Sequence, residues 1–314
     1  MWKSLAVITM LFPVCSLAQN YPPWSKGAND PARNKGLVFQ VSDVDNVPDL
    51  HGNPQDAKLV LFIGGNQFFV LPRLIAGFEK QHPELAGQIF YETLPPGILR
   101  KQIDQDNTIT LGNLTLHVQP DVYEAGLQAL EDMQKQNQTA RVLRYATNNL
   151  EIMVAAGNPK HITGLKDLAN PGVRLSMPNS ETEGVARQIA NSLRKAGGEK
   201  LVRIVYTENV QQGTTYLTQI HHRQTSMRIL DGRSDAGVVW ASEVRFQQKI
   251  GNPIEGVPIP ADQNTEGIYA AGILRNAPHA AAAEAWLAYL QSPEAQAAYR
   301  EFGFGPYLPD QKHE

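Results

Sequence analysis

The stretch KLVLFIGGNQFFVLPRLIAGFEKQHPEL, residues 58–85, constrains the fold of this chain more than any other. Lys58 to Ile63 is too short for a helix, and its Val, Leu, Ile and Phe content is that of a strand buried on both faces. Gly64-Gly65-Asn66 turns the chain. Phe69, Arg73 and Glu79-Lys80 then recur at helical spacing, and the helix should stop before His82-Pro83. Two readings of the turn stand side by side. It is a plain connection that uses glycine for close packing, or it aims free backbone N–H groups and the positive end of a helix at a small, usually anionic, ligand.

The alternation continues to the C-terminus. Strands are expected at 58–63, 88–92, 114–118, 150–155, 173–177, 201–206, 236–240 and 268–274. Amphipathic segments lie between them, such as Gly184–Ala196, where Val185, Ile189 and Leu193 share a face with Ala186 and Ala190. Pro278–Phe302 is helical with a break at Ser292-Pro293. Strands alternating with helices imply an α/β fold with mostly parallel sheets covered on both faces. Residues 19–56, dense in Pro, Asn, Asp and Gly, read as an extended arm on the surface with one short strand at Leu37–Val41.

Residues 1–18 combine a basic start (Lys3), an apolar core (Leu5 to Val14) and a small-residue end, Ser16-Leu17-Ala18. This is the pattern of a secretory signal peptide cleaved after Ala18, and it implies export to a bacterial periplasm. The chain's one cysteine, Cys15, falls inside that segment, so the mature part offers neither disulfide nor thiol chemistry. The 314 residues carry a formal charge of −3 with both signs mixed, and no basic stripe interleaved with aromatics points to nucleic acid. That length suggests two globular units of roughly 100–200 residues each. The sequence has no Gly-x-Ser-x-Gly elbow, no His-Glu-x-x-His and no phosphate loop, so neither an enzyme nor a cofactor is expected.

Several phrases together carry a resemblance: LFIGGNQ, YETLPPGILRKQI, QPDVYEAG, NNLEIMVAAGNPKHITGLKDLANPGVRLSMPN, DGRSDAGVVWASEV and PEAQAAYREFGFGP. From about Lys58 to Tyr307 the chain resembles the periplasmic solute-binding proteins of ABC transporters. The branch is the molybdate/tungstate-binding one of type II, with its sulfate- and iron-binding relatives. The resemblance implies two α/β lobes with the ligand between them. The first lobe would take 57–144 and 243–314, and the second, with its hinge strands, 145–242. Crossings are expected near Tyr145–Asn149 and Trp240–Glu243. A monomer that hands a small ligand to an inner-membrane ABC permease is the implied partner scheme, with the mature chain not inserted in the membrane. A periplasmic sensor partner is the alternative role.

Carried over residue by residue, the resemblance marks five places. Gly64, Gly65, Asn66 and Gln67 form the first loop, with Asn66 where the family has Ser. In the second, Thr93 keeps a hydroxyl, but Pro95 and Pro96 remove backbone donors where the family holds a Ser run. The third is the start of the second-lobe helix, with Ser180, Thr182, Glu183 and Gly184. Glu183 is out of pattern: it is a solvent-facing acid at a helix N-terminus, or it faces the cleft and repels an anion or ligates a cation. His222 and its neighbour Arg223 make the fourth place; of the adjacent His221 and His222, one at most is expected in the cleft. Trp240, where the family carries Tyr, is the fifth. The ligand implied first is a tetrahedral oxyanion. A metal ion or chelate held by Tyr91, Glu92, Glu183 and His222 is the alternative.

Overall fold

The computed structural model describes residues 39–40, 48–111, 114–219 and 221–307. The expected signal peptide and most of the arm lie outside these residues. Among the described residues the larger sheet holds eight strands in the order β1 (Phe39–Gln40), β2 (Pro48–His51), β4 (Ile89–Glu92), β3 (Leu59–Ile63), β7 (Val122–Gly126), β14 (Gly267–Leu274), β8 (Thr139–Asn148) and β15 (Gly305–Pro306). A smaller sheet of five has the order β11 (Thr215–Leu217), β10 (Leu175–Met177), β12 (Ala236–Trp240), β9 (Leu150–Ala155) and β13 (Ile254–Pro258). β5 (Thr108–Leu111) and β6 (Leu114–His117) pair only with each other.

β3 shows why an unbroken apolar run becomes a central strand. It pairs in parallel with β4 on one side and β7 on the other. Leu59, Leu61 and Ile63 enter one core while Val60 and Phe62 enter another across the sheet, the alternation a pleated strand imposes. The helix Leu71–Gln81 follows. Pro72 sits in its first turn, where a missing N–H costs nothing. Leu71, Leu74 and Phe78 are buried on one face, and the helix ends at His82, ahead of Pro83.

Four features differ from the sequence reading. The sheets are mixed rather than mostly parallel: β4-β3-β7 and β11-β10-β12 are parallel cores. Antiparallel strands β9, β13, β14 and β8, which run between and beside the two halves, are added to those cores. The arm is not wholly a surface wrap, because β2 pairs antiparallel with β4 and buries Asp49 and Leu50. Residues 201–206 are helical. The helix Val185–Arg203 breaks at Gly197-Gly198, where Gly198 takes φ 69°, and a wide turn over Ile204–Glu208 continues it. Leu201 and Val205, four apart, are buried together, so tertiary packing overrides the β-branched content of this run.

Finally, β13 joins the smaller sheet, although 243–314 was assigned to the first lobe. The chain therefore crosses between sheets from β8 to β9 at Asn149 and returns over 259–266 rather than at 240–243. Loops at the C-terminal ends of β3, β4, β7, β10 and β11 then face one cleft, the position where open α/β sheets bind ligands. Among the described residues no helix is long and apolar enough to cross a membrane.

Candidate functional site

The cleft encloses a cavity of about 110 Å³. Gly64, Gly65, Asn66 and Gln67 form its floor, but their donors are not all directed at it. Gly64 N–H donates to Glu124 O at 3.0 Å and Gly65 N–H to Leu94 O at 3.1 Å. The glycines tie the ends of three strands together, and among the described residues only Asn66 in this turn keeps a backbone N–H with no backbone acceptor. Close approach is why Gly65 is glycine: a Cβ there would lie 2.5 Å from Thr93 O and 2.6 Å from His221 Cε1. Asn66 lines the cavity and donates its amide to the Tyr269 hydroxyl.

Gln67 turns its side chain beneath the floor. Its Nε2 donates to Tyr145 Oη at 2.8 Å and its Oε1 accepts from Tyr299 Oη at 2.9 Å. Tyr145 and Trp286 Nε1 in turn donate to Glu124 at 2.8 and 2.7 Å. Burial pushes the Glu124 carboxyl up to about 7, against the pull of those donors. Replacing Asn66 by Ala is expected to weaken ligand binding by about 1–3 kcal/mol, the usual cost of stranding a buried polar partner. Titration calorimetry reads this directly, and wild-type affinity in the variant would remove Asn66 from the site.

The second loop contributes a wall. Pro95 and Pro96 line the cavity, whereas Thr93 does not. The Thr93 hydroxyl donates to Asp49 Oδ1 at 3.1 Å, and its carbonyl accepts from Arg223 Nη2 at 3.1 Å. Arg223 does not line this cavity either. Its guanidinium spans from the smaller sheet's loop to the larger sheet, ion-paired with Asp49 and 4.7 Å from the centre of the Phe68 ring. His221 Nε2 lies 3.2 Å from Asp49 Oδ1 and 2.5 Å from Arg223 Nη2. Burial alone would raise the Asp49 carboxyl, but Arg223 and His221 hold it well below the ordinary carboxylate range. Asp49, a residue the sequence reading left in the arm, thus bridges the two halves.

Glu183 is neither exposed nor a cap. It is buried, accepts from the His222 backbone N–H at 2.5 Å, and is bonded to His222 Nδ1 and the Thr218 hydroxyl. On the other side, His222 Nε2 lies 2.9 Å from Glu243 Oε2. Burial disfavours an imidazolium here, yet the carboxylates of Glu243 and Glu183 outweigh it and hold His222 up to about 10. Glu183, despite its burial, is lowered by His222 and Thr218. Glu243 also accepts from Trp240 N–H at 3.1 Å at the start of the helix Ala241–Lys249. Both His221 and His222 line the cavity, so the expectation of one at most fails: the turn leading into the helix Gln224–Leu230 is irregular and does not alternate its side chains.

Trp240 lines the cavity beside Tyr269 and packs on Gly267, where a Cβ would meet the indole at 2.3 Å. Gly184 also lines it. Ser180 is exposed, and with Thr182 it lines an adjoining groove instead. The four metal candidates do not converge. Tyr91 stacks on His51 at 4.4 Å, and burial pushes its hydroxyl up to about 12. Glu92 packs against Gln102, 3.1 Å from its amide, and burial pushes it up to about 8. Neither lines the cavity that holds Glu183 and His222. Two helices instead present their first turns to it, Leu127–Lys135 after Gly126 and Val185–Arg203 after Gly184, both without a side-chain cap.

Residues 59–305 match the family described as bacterial extracellular solute-binding protein. The chain belongs to that family. Among relatives of this solute-binding protein, a sulfate-binding protein of Synechococcus elongatus is 28% identical over 171 residues, 52% of this chain and 49% of the relative. A putative ABC transporter substrate-binding lipoprotein, YvgL of Bacillus subtilis, is 25% identical over 235 residues, 74% of this chain and 81% of the relative. The chain thus spans about half the length of the first relative and four fifths of the second. The sulfate-binding protein SubI of Mycobacterium tuberculosis superposes with a TM-score of 0.65 at 16% identity, over 80% of this chain and 87% of that one. That likeness concerns the two-lobed fold.

Proposed function

We propose that this solute-binding protein is the periplasmic capture component of an ABC importer and takes up a small tetrahedral oxyanion between its lobes. The observation that carries this reading is the pair of uncapped helix N-termini, at Gly126 and Gly184, that meet the cavity from opposite sheets. Each end carries roughly half a positive charge; at Gly184 the Ala186 and Arg187 N–H groups already donate to Glu183 O and Gly184 O, which leaves those of Gly184 and Val185 to face the cavity. Of the cations that line the cavity, His222 is tied up between the carboxylates of Glu183 and Glu243 and Arg187 is exposed at the mouth, so an anion inside would be held mainly by N–H dipoles. Such a site discriminates by geometry and number of donors. The matches to a sulfate-binding protein and to an ABC transporter substrate-binding lipoprotein support the same reading.

In this scheme residues 1–18 direct export, the lobes close as a monomer on a hinge at Asn149 and 259–266, and the closed form docks on a permease. The test is a thermal-shift screen of the mature protein against sulfate, molybdate, tungstate and divalent cations. An oxyanion at 100 times its Kd should stabilise the protein by about 2.7 kcal/mol, and small-angle scattering should show compaction with the same anion. Stabilisation by a divalent cation with none by any oxyanion would overturn the proposal.

A further inference from the structure

The cavity is larger and less polar than a bare tetrahedral anion needs. An XO₄ anion has five heavy atoms. A water requires ~10–15 Å³ of such space, so a cavity of about 110 Å³ has room for roughly seven to eleven groups of that size. No Ser or Thr hydroxyl lines it among the described residues. Thr93, the hydroxyl of the second loop, is committed to Asp49. In its place stand Pro95 and Pro96, and neither ring nitrogen carries a proton to donate. Val185, Ile268 and the Trp240 indole complete an apolar wall. Such a wall contributes to affinity only when the ligand brings carbon to it.

The cavity is also open at one end. Pro96, Ala129, Glu183, Gly184 and Arg187 line both it and an outer groove of about 670 Å³. Arg187, at that junction, is exposed. We infer that the ligand is a small organic molecule bearing a tetrahedral oxyanion head, a phosphate monoester or a sulfonate. The head sits at the two helix N-termini, the carbon body lies against Pro95, Pro96 and Ile268, and a polar end points to Arg187. This inference rests on the anion-binding reading above and narrows it.

The test is a size-graded series measured by titration calorimetry on the full chain in chloride buffer. The phosphate arm runs inorganic phosphate, methyl phosphate, ethyl phosphate and glycerol 3-phosphate, and the sulfonate arm runs sulfate, methanesulfonate and ethanesulfonate. Affinity is expected to rise about tenfold or more from the inorganic ion to the two- or three-carbon member of at least one arm. Arg187→Gln is expected to cut the advantage of glycerol 3-phosphate over ethyl phosphate several-fold. Affinity that falls steadily as carbon is added in both arms, with the inorganic ion tightest, overturns the inference and leaves the oxyanion reading standing. Absence of binding by every anion in both arms, and by molybdate titrated alongside them, overturns that reading and this inference with it.

Discussion

Replacing Asp49 by Ala is expected to lower the unfolding free energy by about 3–5 kcal/mol, the usual penalty for removing one partner of a buried ion pair. Asp49 is 2% exposed and Arg223 6%, so water does little to compensate the guanidinium once the carboxylate is gone. Asp49→Asn keeps an acceptor for the Thr93 hydroxyl but not the charge, and should fall between wild type and Asp49→Ala. The pH dependence has a definite sign. The Asp49 carboxyl is held below its ordinary value by Arg223 and His221. Its stabilisation is therefore fully present above about pH 4 and lost as pH falls below that. Urea denaturation at pH 3 to 7 should show wild type and Asp49→Ala converging towards acid. Equal stabilities at pH 7 would mean that the bridge is worth nothing, and an unchanged radius of gyration in Asp49→Asn would mean that it does not hold the lobes together.

Glu183→Gln is expected to produce the second large effect, and it is read at the opposite end of the pH scale. His222 is held up to about 10 between Glu183 and Glu243. A group raised in this way contributes stability that is fully present below about pH 6.5 and is lost as pH rises through about 10. Removing one of the two carboxylates should lower the His222 value, so that the loss is complete at a lower pH. The variant should be about 3–5 kcal/mol less stable at pH 7, with the gap closing by pH 10. Affinity of the wild type for a sulfonate, which does not itself titrate in this range, should by contrast be flat between pH 6 and 8, because the imidazolium stays charged throughout. Parallel stability profiles for wild type and Glu183→Gln would sink the idea that the carboxylates set the charge on His222.

The parts of this fold legible in the sequence are those whose signal is local. β3 and β12 are contiguous apolar runs and β9 is one but for Glu151, and their boundaries are readable to within a residue. β2 is four residues, Pro48-Asp49-Leu50-His51, with one apolar side chain to bury, and nothing in that composition distinguishes it from a loop. β8 carries Arg141 and Arg144, both exposed and, three apart, on opposite faces of the strand, and the charges mask its alternation. Within the site, the Gly64–Asn66 turn, the Pro95-Pro96 substitution, Glu183 and Trp240 could be singled out from residue type and position. Their partners could not. Asp49 meets Arg223 across 174 positions and Glu183 meets His222 across 39, and no spacing rule reaches so far. Glu243 did leave a trace, since an acid three residues after Trp240 at the start of a helix is half of a capping box.

The strand that carries Asp49 ends at His51, before the family match begins at residue 59. The Asp49–Arg223 contact between the two halves is thus supplied by a segment outside the residues matched to the family. In effect the protein carries its own counter-ion on a tether. Intramolecular delivery of this kind corresponds to an effective concentration on the order of millimolar for a short flexible link. A chain shortened to begin at Lys58 would keep both parallel cores and the Gly64–Asn66 turn, but would present His221 and Arg223 to the solvent. Dissolved anions at millimolar levels would then take up the position that the tethered carboxylate holds, and opening and closing would depend on the salt composition of the medium.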